Sequence, residues 1–260
     1  YRVLKDEDTQ TLQEIYPNSE LSILDIDTTE EFAEIQKQLE NNDKFVLYLD
    51  IMGFKERVNK VDIEELKSQL KLFKTKNIKL NPLLTGKSET LIHMAQFSDS
   101  IVLVTRDTTI NDLNRISKAA TILMQTGLQT GFALRGAITK GKMVFDNENQ
   151  LFFGKALVDA YLLEEELCYY GVAFHESMEE SITDALTKKT MPIEDVLIPL
   201  KKGKSKHYHI AWHKLKANLQ PGDISSEALI WLKEIRKTVS GNPRVYLDNT
   251  EDIINQRKEQ

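Results

Sequence analysis

The sequence predicts an α+β fold, in which helices pack on a mixed or antiparallel β-sheet. Three observations support this class: an apolar strand is followed by a helical region, two pairs of apolar segments are joined by short turns, and amphipathic segments separate these pairs. Short turns join antiparallel strands, whereas parallel strands need long crossover connections. A doubly wound parallel sheet would not need these hairpins, so the order of elements favours α+β.

Apolar spacing assigns the individual elements. Short apolar runs rich in β-branched and aromatic side chains predict strands, and apolar residues three or four apart predict helices. The predicted strands are 45–51 and 132–141, with hairpins at 93–105 and 196–212. The predicted helices are 28–40, a region after Gly53 that carries Ile63, Leu66, Leu70 and Phe73, then 113–128, 155–169 and 225–239, followed by a short tail.

Composition indicates an ordinary globular protein. Of its 260 residues, 41% are hydrophobic and 28% are charged, which suffices for a sizeable core. The formal net charge of −6 disfavours a nucleic-acid-binding protein, which would need a basic surface. Cys168 is the single cysteine, which excludes an intrachain disulfide and makes a reducing, cytoplasmic location the expectation. No apolar run reaches the ~20 residues that span a bilayer, so no membrane association is expected.

Two aspartates lie at the ends of apolar segments, where burying a carboxylate costs free energy. Asp50 follows an almost wholly apolar strand, and Asp99 lies at the tip of an apolar hairpin. Singly, each fits a turn cap, because Asp is a common turn residue. Together, two carboxylates at adjacent strand ends can hold two divalent cations about 4 Å apart, an arrangement that serves phosphoryl transfer. Mg²⁺ and Mn²⁺ prefer such oxygen ligands, so the pair predicts a two-metal site.

The turn after Asp50 adds a second feature. The strand passes Gly53 and enters a helical segment at Phe54. Main-chain N–H groups in such a turn converge and can cradle a triphosphate. Many strands end in glycine, so this turn is weak evidence when taken alone.

Five segments resemble, in order, motifs of the class III nucleotide cyclases. Residues 49–54 (LDIMGF) resemble the D-I-x-G-F signature, and 97–99 (FSD) resemble the segment with the second metal aspartate. Residues 135–141 (RGAITKG), 153–156 (FGKA) and 200–204 (LKKGK) resemble the R-x-G-I-x-x-G strand, the start of the catalytic helix and the late lysine hairpin. Each match is weak alone, whereas five in family order across about residues 44–213 form a specific set.

The resemblance implies a ferredoxin-like catalytic domain at 43–215. The polar residues 1–42 are interpreted as an N-terminal helical lead-in, and 216–260 as a C-terminal helical extension of the same domain. It implies a homodimer with sites at the interface, and two Mg²⁺ or Mn²⁺ ions bound by Asp50, Asp99 and the Ile51 carbonyl. A nucleoside triphosphate would contact Gly53, Phe54 and Lys202, with Lys204 and Lys155 as further candidate cations. Its ribose 3′-oxygen would attack the α-phosphorus and expel pyrophosphate.

This chain departs from the purine cyclases of that family. Ala95 and Leu151 stand where a lysine and an aspartate read the purine, so these two residues are expected to line the base pocket. Val158 and Leu162 replace the usual helix Asn and Arg. The combination resembles the pyrimidine cyclases of bacterial Pycsar antiphage systems, which implies cyclic UMP or cyclic CMP as product and a separate effector protein. UTP is favoured over CTP because uridylate cyclases are the commoner kind.

The sequence is compatible with several alternatives. Arg135 either replaces the missing catalytic arginine or pairs with a structural carboxylate. The chain is alternatively an inactive regulatory or binding module of the same fold, or a purine cyclase. A diguanylate cyclase is disfavoured because the sequence has no G-G-[DE]-[DE]-F run. His209 and His213 are four apart in a strand-like pattern, which does not favour a zinc site.

Overall fold

The computed structural model describes residues 43–76, 91–146, 149, 151–188, 191–216, 220 and 222–256. The predicted helix at 28–40, and with it the N-terminal lead-in at 1–42, lies outside these residues. Within them, no helix is both long enough and apolar enough to cross a bilayer.

A mixed β-sheet forms the centre of the fold. Its strands are β1 Asp43–Ile51, β2 Ile92–Phe97, β3 Ser100–Thr105, β4 Leu134–Lys142, β7 Val172–Phe174, β8 Ile193–Leu200 and β9 Gly203–Ile210. They are ordered β2-β3-β1-β4-β7-β9-β8 across the sheet. A separate ribbon pairs β5 Val144–Asp146 with β6 Leu151–Phe153. Neighbouring strands are antiparallel except β4 and β7. With helices on both faces, this sheet confirms the predicted α+β class.

The helices have these bounds: α1 Phe54–Lys60, α2 Ile63–Lys76, α3 Ile110–Gln129, α4 Lys155–Glu166, α5 Glu179–Lys188, α6 Ser225–Arg236 and α7 Asn242–Asn255. The longest of them, α3, begins with a capping box between Thr109 and Asp112. This box satisfies main-chain N–H groups that the first turn leaves unpaired. Leu113, Ile116 and Leu123 of α3 are fully buried in the main core.

Strand β1 separates two apolar layers. Alternate side chains of a strand point to opposite faces of its sheet. Leu47 and Leu49 belong to the main core with α3, whereas Val46 and Tyr48 belong to a smaller cluster with Met143 and α4. Asp50 continues the alternation of Val46 and Tyr48, so its side chain lies on the α4 face of the sheet.

The segment after residue 239 was predicted to be a short tail, and this was wrong, because Asn242–Asn255 form the fourteen-residue helix α7 within the segment interpreted as a helical extension. Pro243 occupies its first turn, where a missing N–H group costs nothing. Leu247 of this helix is fully buried. The helix predicted at 155–169 ends at Glu166, because Leu167 turns to an extended backbone conformation. Strand β7, helix α5 and the β5–β6 ribbon were not predicted.

Candidate functional site

The structure brings Asp50 and Asp99 to neighbouring strand ends. Asp50 pairs across the sheet with Ser100, and the Ile51 N–H donates to the Asp99 carbonyl at 2.9 Å. Ser98 closes the hairpin turn beside Asp99 in a left-handed conformation, with φ of 55°. Below the pair, the Tyr48 hydroxyl and the Ser100 hydroxyl lie 2.8 Å apart. The turn therefore fixes the segment that carries Asp99 against the end of β1.

The two carboxylates interact electrostatically. Burial raises the pKa of Asp50 to about 6, and the charge of Asp99 adds to this rise while Arg135 opposes it. The ionised pair thus carries an unfavourable charge interaction in a half-buried setting. A divalent cation between the side chains would relieve that repulsion, so the carboxylate chemistry fits Mg²⁺ or Mn²⁺.

The metal shell is not complete within the protein. Among the described residues, no group of three or more His, Cys, Asp or Glu side chains is placed to hold a metal ion. Two carboxylates would have to be supplemented by main-chain carbonyls, water or substrate oxygens. Such a shell is typical of Mg²⁺ sites that bind one or two carboxylates together with phosphates. Ile51 stays a predicted ligand.

The turn after β1 has the conformation that its glycine allows. Gly53 adopts a φ of 73°, and it precedes α1, a helix of seven residues. A side chain at this position would find space but would have to accept a left-handed backbone. Phe54 packs against the main core and anchors the start of α1. The roles of Gly53 and Phe54 in binding a triphosphate stay predictions.

Arg135 is held in a buried ion pair. Its Nε donates to the Glu164 carboxylate of α4, and its Nη1 donates to the Leu167 carbonyl at 2.7 Å. The guanidinium carbon also lies 5.6 Å from the centre of the Tyr246 ring. Arg135 is 8% exposed and Glu164 2% exposed. These contacts match the alternative in which Arg135 pairs with a structural carboxylate, and a catalytic contact through this guanidinium would require it to leave Glu164.

The two residues predicted to line the base pocket lie in one region of the molecule. Ala95 is on β2 between His93 and Phe97, whose rings lie 5.1 Å from Phe145 and 5.4 Å from Phe152 respectively. The ribbon that carries these phenylalanines also carries Leu151, which is 37% exposed. The aromatic ribbon thus packs over the face of β2 that presents Ala95.

The predicted phosphate-binding lysines are exposed. Lys202 lies in the turn between β8 and β9, and the neighbouring Lys201 N–H donates to the Glu166 carbonyl at 2.9 Å. Strands β4 and β7 lie between β1 and β9 in the sheet. At a spacing of about 4.8 Å per strand, β1 and β9 are roughly 14 Å apart. Lys155 pairs with Asp159 on the exposed side of α4.

The outward face of α4 is apolar. Val158 is 55% exposed, Leu162 is 53% exposed, and Tyr161 between them is 43% exposed. The ring of Tyr161 meets Tyr48 edge-on, with 5.7 Å between centroids. Exposed apolar side chains in a contiguous patch are typical of interaction surfaces.

Sequence reasoning missed Glu164 and Tyr48. Glu164 begins a run of three glutamates that looks like a solvated helix face. Ala156 and Ala160 precede it at intervals of four and are fully buried, so a stripe of period four could have placed Glu164 on the inward face. Tyr48 was assigned only to an apolar strand, although its alternation with Asp50 puts both on one face.

Comparison with known proteins adds a distant structural likeness. No protein-family model matches the chain. No curated protein matches its sequence. A solved structure of a bacterial light-regulated adenylyl cyclase aligns with a TM-score of 0.44 and 11% sequence identity, over 92% of this chain and 72% of that one. At this level of similarity the neighbour assigns neither an activity nor a substrate to the chain.

Proposed function

We propose that this chain is a metal-dependent nucleotide cyclase that converts a pyrimidine nucleoside triphosphate, UTP in preference to CTP, into its 3′,5′-cyclic monophosphate and pyrophosphate. One observation carries the proposal: Asp50 and Asp99 stand at neighbouring strand ends, and burial together with the charge of Asp99 raises the pKa of Asp50 to about 6. A half-buried carboxylate pair of this kind destabilises the fold, and bound cations would offset that cost and supply the charge that phosphoryl transfer needs.

The chain's own residues would position the substrate. Two Mg²⁺ or Mn²⁺ ions, when bound, supply the charge that activates the ribose 3′-hydroxyl and stabilises the leaving oxygen. Asp50, Asp99 and the Ile51 carbonyl would hold the ions, and the turn at Gly53 and Phe54 would approach the triphosphate with main-chain N–H groups. Phosphoryl transfer needs mainly in-line placement and charge stabilisation, and these residues can provide both.

The proposed preference for a pyrimidine rests on the side chains that would contact the base. Ala95 has no polar side-chain atom, and Leu151 is apolar, so neither rewards the hydrogen-bonding edge of a purine. Phe97, Phe152 and Phe145 pack together beside Ala95, so the surroundings of the base would be apolar there as well.

We further propose that the active form is a homodimer. The exposed apolar patch of Val158, Tyr161 and Leu162 is a surface that a second copy would bury. Lys202 is separated from Asp50 by the width of β4 and β7, so its triphosphate contact would come from the second copy. The cyclic product would act as a cytoplasmic signal to a separate effector protein in antiphage defence, in line with the Pycsar resemblance.

An inactive binding module is the second candidate. Val158 and Leu162 place apolar groups where the related cyclases carry the Asn and Arg that stabilise the transition state, and this observation favours it. Retention of both aspartates argues against it, because a site without a cation has no use for a costly carboxylate pair.

The test is product identification. The protein is incubated with UTP, CTP, ATP or GTP and Mn²⁺, and the products are identified by mass. Cyclic UMP, or cyclic CMP in smaller amount, supports the proposal. Cyclic AMP or cyclic GMP as the main product would assign a purine cyclase, and no pyrophosphate release from any of the four would favour the inactive module.

A further inference from the structure

We infer that Glu164 is a positioning residue of this site: it holds the Arg135 guanidinium away from Asp50 and so keeps the Asp50 carboxylate open to a cation. The inference rests on the proposed function, because it concerns cation binding by the same carboxylates.

Arg135 and Asp50 are direct neighbours across the ladder between β4 and β1. Residues opposite each other in an antiparallel pair have Cα atoms about 5 Å apart and project their side chains to the same face. A guanidinium this close to a carboxylate commonly forms a pair of charge-assisted hydrogen bonds with it. The register alone would therefore join Arg135 to Asp50 and occupy the oxygens that a metal ion needs.

Glu164 redirects the guanidinium instead. Arg135 donates through Nε to Glu164 and through Nη1 to the Leu167 carbonyl, and its far side faces the Tyr246 ring. In the part of the chain that the structure describes, no hydrogen bond or ion pair joins Arg135 to Asp50. The Arg135 guanidinium is thus held jointly by helix α4, by Leu167 after it and by helix α7.

Because Arg135 is buried, its guanidinium can pair with either of two nearby carboxylates, Glu164 or Asp50. Arg135 and Glu164 are both nearly inaccessible to water, so the guanidinium depends on protein partners for its charge. Besides Glu164, Asp50 is the carboxylate whose charge acts on Arg135. When Glu164 loses its charge, the arginine has Asp50 as its remaining carboxylate partner, and a cation must then compete with it.

The experiment measures Mn²⁺ affinity by electron paramagnetic resonance titration of the full chain. Glu164→Gln is expected to weaken Mn²⁺ binding about tenfold, since one charge-assisted hydrogen bond must break before the cation binds. The double variant Arg135→Met, Glu164→Gln is expected to return the affinity to within about threefold of the original chain, because the competing guanidinium is gone. A merely structural role for Glu164 would not give this rescue.

The matched control is Glu194→Gln on β8, the far edge of the sheet, and this substitution breaks the ion pair between Glu194 and Lys214. It is expected to leave Mn²⁺ affinity unchanged. Unchanged affinity in Glu164→Gln, with only its unfolding midpoint lowered, would overturn the inference while leaving the proposed function intact. If the original chain binds no Mn²⁺, the proposed function fails and the inference fails with it.

A second variant covers the case in which Glu164→Gln does not fold. Glu164→Asp keeps the charge but shortens the side chain, which loosens its grip on Arg135. Mn²⁺ binding is then expected to weaken by a smaller factor and to recover when Arg135→Met is added. Affinity equal to that of the original chain would contradict the inference.

Discussion

Asp50 is expected to destabilise the metal-free protein at neutral pH. Its pKa rises from the ordinary 3.8 to about 6 because burial and the charge of Asp99 disfavour the ionised form. A group whose pKa is raised by folding contributes stability that is fully present below the unfolded pKa and is lost as the pH rises through the folded pKa. The loss therefore falls between about pH 4 and pH 6.

The magnitude follows from the same pKa values. A rise of roughly two at about 1.4 kcal/mol for each unit of pKa gives an upper limit of about 3 kcal/mol. Asp50 is only half-buried, so solvent screening reduces this to roughly 1–2 kcal/mol. Asp50→Asn keeps the shape of the side chain and removes the charge. It should therefore stabilise the metal-free protein by roughly 1–2 kcal/mol above pH 7 and by almost nothing below pH 4.

The assay is urea unfolding of both proteins in a chelating buffer at several pH values. The free energies of unfolding should diverge as the pH rises through the window. Addition of Mn²⁺ should stabilise the original chain more than Asp50→Asn, since the variant is expected to bind the cation at least about tenfold more weakly. A variant that is less stable at neutral pH, or a stability difference that does not change with pH, would contradict an unfavourable charge on Asp50.

Three further outcomes are expected. Burial and the nearby charge of His209 lower the pKa of His213 to about 4. The free energy of unfolding should therefore fall by about 3 kcal/mol as the pH drops from 6.5 towards 4, and His213→Gln should lose less stability over that range. Gly136→Ala would place a Cβ 2.2 Å from the Tyr48 carbonyl, which forces β4 from β1 and should cost about 2 kcal/mol or more in thermal unfolding. Leu247→Ala should cost about 2–5 kcal/mol in urea unfolding, because the side chain is fully buried; a loss near zero would mean that α7 does not pack as described.

The sequence predicts the strands that are buried on both faces. The run ending at Asp50 and the strand β3 that follows Asp99 are almost continuously apolar because both of their faces are covered. Local composition is enough to identify such strands. The pattern of the amphipathic helix α3 likewise reflects one buried stripe, so its spacing places it correctly.

Elements that depend on tertiary contacts were missed. Helix α7 has few apolar residues, and its Pro243 suggests a break, yet it is held by Leu247 in the core and by two polar contacts. Thr250 accepts from the Tyr170 N–H at 2.8 Å, and Asn249 donates to the Cys168 carbonyl at 2.7 Å. Partners some eighty positions away in the chain leave no local pattern.

The candidate site divides in the same way. Asp50 and Asp99 could be predicted from the sequence because each interrupts an apolar run, where burying a carboxylate costs free energy unless it has a partner. Glu164 could not, because it begins a run of glutamates and only the fold buries it beside Arg135. Sequence thus identifies the carboxylates at the strand ends, whereas only the structure identifies Glu164 as the buried carboxylate that pairs with Arg135.

The most direct test of the account is Mn²⁺ binding in the presence of 3′-deoxy-UTP, a substrate analogue that cannot cyclise, compared among the original chain, Asp50→Asn and Asp99→Asn. If the two carboxylates bind the cations jointly, each single variant loses at least about tenfold in Mn²⁺ affinity. The variant that carries both substitutions then loses little more affinity than either single variant. Undiminished binding in either single variant would contradict a shared metal site.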